Sequence, residues 1–61
     1  MNGREVIKRL ETAGWWVVRI RGSHHQMTNG RKKTTVAVHG SRDLIIDTLK
    51  GIERQTGVKL K

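Results

Sequence analysis

Apolar residues near the start of the chain, Val6, Ile7, Leu10 and Ala13, recur at i, i+1, i+4 and i+7, which gathers them on one helical face. The spacing predicts a helix over about residues 3–13. Asn2 stands where it can cap that helix, Glu5 falls in its first turn, and Gly14 follows where a left-handed C-cap is expected. The pattern then changes. "WWVVRIR" is rich in aromatic and β-branched residues and predicts a strand. Strict alternation would set Trp16, Val18 and Ile20 on one face and Trp15, Val17, Arg19 and Arg21 on the other. Next, Asn29-Gly30 predicts a two-residue type I′ hairpin turn between strands at 25–28 and 33–39, with Val36 and Val38 alternating against Thr35, Ala37 and His39. A second helix is expected from Asp47 as N-cap, presenting Leu49 and Ile52 and stopping at Gly57, with Val58 placed for an apolar C-terminal contact. Gly51 inside it costs about 1 kcal/mol relative to alanine and would permit close packing on the sheet. The resulting fold class is α+β: an α-β-β-β-α chain with a three-stranded antiparallel sheet and two helices on one face.

Length and composition narrow the setting. Sixty-one residues make one domain, 1–61, that buries only about 60% of its unfolded surface, so its stability margin is thin. The chain has no cysteine, which closes the disulfide route used by small secreted domains. "WWVV" is far shorter than the roughly 20 residues of a membrane span, and no signal segment is visible. A cytoplasmic protein without membrane contact is expected.

Charge adds a partner class. The net charge is +8 and unevenly spread. Acidic and basic residues nearly balance in 1–14 and in 43–61, whereas 15–42 carries Arg19, Arg21, Arg31, Lys32, Lys33 and Arg42 with no acid. A single-sign block of this kind is the electrostatic footprint of a polyanion such as RNA.

The candidate chemistry lies in "RIRGSHHQM". Histidine both takes and gives protons near neutral pH, and RNA cleavage needs both acts. A base removes the 2′-OH proton, the 2′ oxygen attacks phosphorus, an acid protonates the departing 5′ oxygen, and cations stabilise the developing charge. Adjacent strand residues face opposite ways, so His24 and His25 do not serve one phosphate together. Exposed or hydrogen-bonded structural histidines are the competing reading. His39, the third histidine, is a strand-end candidate for phosphate contact. No metal site is expected, since the histidine spacing matches no zinc signature and no carboxylate lies nearby in sequence. Ser23 and Ser41 have no triad context, and "NGRKK" lacks the spacing of a phosphate-binding loop.

Taken together, the α-β-β-β-α order, "AGWWVVRIRGSHH", "VAVHG" and "TLKGIERQTGV" resemble the HicA family of toxin ribonucleases over residues 5–58. The most specific element is "GW" followed seven residues on by "GSH". The resemblance implies a fold like the double-stranded-RNA-binding domain and a metal-independent endoribonuclease, an mRNA interferase without cofactor. It also implies neutralisation by a HicB-like antitoxin protein. It makes His24 the catalytic acid or base, positioned by Gly22 and Ser23, and leaves His25 to the strand. Arg19, Arg21, Arg31, Lys32, Lys33 and His39 are the candidate RNA-binding residues. The second proton carrier stays open among His39, a lysine and water. The chain departs from the family at three places. Ala37 stands where proline is common, "IIDTL" (Ile45, Ile46, Asp47) replaces the usual "KPGTL", and Trp16 stands where the family is usually polar. A bend that buries Trp15 and exposes Trp16 would free the latter to stack on a base, to anchor a partner or to lie across the sheet edge. The rival reading is a non-catalytic RNA-binding module of the same fold; DNA binding through the last helix ranks below both.

Overall fold

The computed structural model describes residues 1–60. Its elements are α1 (Gly3–Thr12), β1 (Trp16–Arg21), β2 (His24–Thr28), β3 (Lys33–Ala37) and α2 (Ile46–Thr56). The strands form one antiparallel sheet in the order β1-β2-β3, and both helices pack on the same side, chiefly against β3. The α-β-β-β-α chain read from the sequence is therefore the observed one.

Helix α1 begins with a full capping box. Asn2 Oδ1 accepts from the Glu5 amide at 2.9 Å, and Glu5 Oε1 accepts from the Asn2 amide at 2.9 Å. Val6 and Leu10 are fully buried, whereas Ala13, expected on the same face, is the exposed C-cap because the chain turns away at Gly14. The core joins Val6, Leu10, Trp15, Met27, Val36, Ile52 and Leu60. Buried Thr34 meets the requirement for a partner by donating its hydroxyl to Gln55 Oε1 at 2.7 Å.

Several local expectations need correction. The β2–β3 connection is not a two-residue turn. Thr28 pairs with Lys33, leaving a four-residue loop in which Gly30 has positive φ and Asn29 does not. The Asn29 side chain holds that loop instead, Oδ1 accepting from the Arg31 and Lys32 amides at 2.9 and 2.8 Å. Strand β3 stops at Ala37 rather than at His39. Helix α2 starts at Ile46 with Ile45 at the N-cap and no side-chain cap. Asp47 lies in the first turn, where its charge suits the helix dipole. Gly57 does end the helix, at φ 74° with its amide donating to the Glu53 carbonyl at 2.7 Å. A Cβ at Gly51 would meet nothing within 4 Å, so close packing is not what that glycine provides. Gly3 has that role: a Cβ there would overlap the Ala37 carbonyl oxygen and stand 3.0 Å from Val38 Cα.

Candidate nucleic-acid interface and its histidine

The face of the sheet turned away from the helices is organised by pairing register. Residues directly opposite on neighbouring antiparallel strands project from the same face. Three cross-strand rows result: Trp16–Thr28–Lys33, Arg19–Gln26–Thr35 and Arg21–His24–Ala37. The rows between them, Val17–Met27–Thr34 and Ile20–His25–Val36, face the helices, and their centre is buried.

Strict alternation along β1 would have turned Arg19 and Arg21 toward the helices together with Val17. A bulge prevents this. Val17 pairs with Met27 and Arg19 with Gln26, so Val18 is left without a partner and the alternation inverts after it. Both arginines thereby join Trp16 and His24 on the open face, and Ile20 moves to the helix side at the uncovered sheet edge, 58% exposed. The two tryptophans part company at the same strand: Trp15 is buried at 4% exposure and Trp16 stands at 49%.

His24 occupies the first position after a two-residue hairpin loop. Arg21 pairs with His24 across Gly22-Ser23; Gly22 has φ 55° and Ser23 does not share a positive φ, the sign pattern of a type II′ turn. The Ser23 carbonyl accepts from the Val38 amide at 2.7 Å, which ties the turn to the end of β3. His24 is exposed, with Arg21 as its directly opposite neighbour on one side and Ala37 on the other. Directly opposite Cβ atoms stand about 4.5–5.5 Å apart, so the arginine side chain is long enough to reach the space in front of the imidazole. Ala37, where the chain departs from the family resemblance, is therefore a direct neighbour of the histidine.

His25 points the other way, half-buried between Ile20 and Val36, with Nδ1 3.4 Å from the Ser23 carbonyl oxygen. His39 is exposed and lies two residues beyond the partner of His24, outside the strand. Arg31 and Lys32 sit in the exposed β2–β3 loop, and Lys33 at the far row of the open face. Among the described residues the one ion pair joins the N-terminal ammonium to Asp43 at 3.5 Å, so the cations of the sheet face are unpaired. Among the same residues, no three of His, Asp and Glu converge as metal ligands. Two surface concavities lie on the helices, one lined by Lys50, Glu53 and Arg54 and one by Met1, Glu5, Lys8, Arg9 and Thr12. Neither is lined by His24, which stands exposed on the sheet face.

The feature that sequence periodicity missed is the bulge. A run of two valines gives no sign of which one leaves the ladder. Its consequence, two arginines on the histidine's face, follows from tertiary pairing alone.

In comparisons with known proteins, the family model described as "HicA toxin of bacterial toxin-antitoxin" matches residues 3–58. No curated protein and no solved structure gives a significant match to the chain.

Proposed function

We propose that this chain, which belongs to the HicA toxin family of bacterial toxin–antitoxin systems, is a metal-independent endoribonuclease acting on mRNA. Its single 1–61 toxin domain works in the cytoplasm and is held in check by a HicB-like antitoxin. One observation carries the reading. His24 is exposed on a sheet face that bears Arg19, Arg21 and Lys33 and no acidic residue, and Arg21 is in register beside it. No helix of the described residues is long and apolar enough to cross a membrane.

In this mechanism the 2′ oxygen of a ribose attacks the adjacent phosphorus and the bond from phosphorus to the 5′ oxygen breaks. The 2′-OH proton leaves to a base and the 5′ oxygen receives one from an acid; His24 supplies one of these two transfers. Arg21 faces the phosphorane-like charge, and Arg19 and Lys33, with Arg31 and Lys32 of the loop, hold flanking phosphates. Gly22 and Ser23 set the direction of His24 through the tight turn and its bond to Val38.

The decisive experiment is cleavage of a single-stranded RNA in EDTA by the intact chain and by His24→Ala. The reading requires cleavage by the intact chain, a fall of about a hundred- to ten-thousandfold in the variant, and unchanged RNA binding. Binding without cleavage by either chain would make this a non-catalytic RNA-binding module.

A further inference from the structure

The geometry points to Trp16 as a stacking platform for an unpaired base, which makes the substrate strand of this chain single-stranded where it crosses the sheet. The inference rests on the ribonuclease reading and adds a base-binding subsite to it.

Three observations place the platform. Trp16 lies on the same sheet face as His24, two cross-strand rows away, with the Arg19 row between them. Two rows of pleated strand span about 13 Å, a stretch that a few nucleotides of single strand can cover. Second, the indole has small neighbours. Thr28 is its cross-strand partner, and Gly30 lies at its rim, where a Cβ would stand 3.6 Å from Trp16 Cη2. These small neighbours leave Trp16 49% exposed. Third, the surroundings are those of a polyanion site. Lys33 completes the Trp16 row, Arg31 and Lys32 follow Gly30 in the loop, and no acid occurs from Trp15 to Arg42. An aromatic face among backbone-binding cations is the arrangement by which proteins hold single strands without reading sequence. A duplex offers no free base face to such a ring, because its bases are already stacked and paired.

Binding is measured in the His24→Ala background, so that cleavage does not interfere. The probes are a short single-stranded RNA and an RNA duplex, read by anisotropy, with Trp16, Trp16→Phe and Trp16→Ala compared. Trp16→Ala should weaken single-strand binding by about five- to a hundredfold and leave duplex binding within about twofold. Trp16→Phe should recover most of the loss, since a ring is retained. Single-stranded RNA should also quench indole fluorescence in the Trp16 chain and not in Trp16→Ala, where only buried Trp15 remains. Equal loss for both RNAs, loss for neither, or a phenylalanine variant as weak as alanine would overturn the assignment. Intact RNA binding with lost binding to a HicB-like antitoxin would overturn it too, making Trp16 a protein anchor. If the parent His24→Ala chain binds no RNA, the ribonuclease reading itself fails, a result separate from any effect at Trp16.

Discussion

At the scale of single residues, the two glycines at helical positions have opposite meanings. Gly3 is buried where α1 starts against the end of β3, and any side chain there meets the Ala37 carbonyl oxygen. Gly3→Ala should lower stability by about 1–3 kcal/mol, the usual range for forcing atoms into filled space. Gly51 is in the middle of α2 with open space where its Cβ would be. Gly51→Ala should raise stability by about 0.8–1.0 kcal/mol through helix propensity alone. Urea midpoints of the two variants check both signs. A destabilised Gly51→Ala would mean that α2 gains something from backbone freedom there. The sequence suggested close packing at Gly51 and nothing special at Gly3; only the position of β3 beneath Gly3 reverses the two. By contrast, Asn2, Glu5 and Gly57 were legible because capping chemistry is local and does not depend on distant packing.

At the scale of elements, β1 is where local reading and structure diverge most. Its composition sufficed to predict a strand, and the burial of Trp15 beside exposed Trp16 was expected from a bend. The facing of its arginines was not legible, because one unpaired residue inverts every side chain after it. This gives a specific prediction. Deleting Val18 removes the residue without a partner and leaves Trp16 opposite Thr28, Val17 opposite Met27 and Arg19 opposite Gln26. The shortened chain should fold with the same core, and nuclear Overhauser contacts between Arg19 and Gln26 and between Arg21 and His24 should persist. If those contacts are replaced by ones that set Arg19 toward Met27, the ladder has slipped and the bulge is what sets the register. The β2–β3 loop was misread for a related reason. Asn-Gly favours a two-residue turn, but Asn29 gains two side-chain hydrogen bonds by opening it to four.

At the scale of the whole molecule, the fold sorts charge by face. The helices carry four of the five acidic residues, the β3–α2 connection carries the fifth, Asp43, and the strands carry none, so much of the basic block seen in the sequence becomes one side of a sheet. That block was legible from composition; its flatness, and the shared face of Lys33, Trp16, Arg19, Arg21 and His24, required the register. RNA affinity should therefore fall steeply with salt, each phosphate contact on a single strand contributing about 0.7 to the slope of log affinity against log salt. Lys32→Ala combined with Lys33→Ala should lower that slope by about 1.4 if both lysines hold phosphates. Arg4→Ala combined with Lys8→Ala, on exposed positions of α1, should leave it unchanged. Titrations at four or five salt concentrations in the His24→Ala background give both slopes. Equal reductions from the two pairs would mean that RNA responds to net charge without choosing a face. A reduction confined to the α1 pair would move the interface to the helical side, leaving His24 remote from the bound strand and removing the basis for its catalytic role.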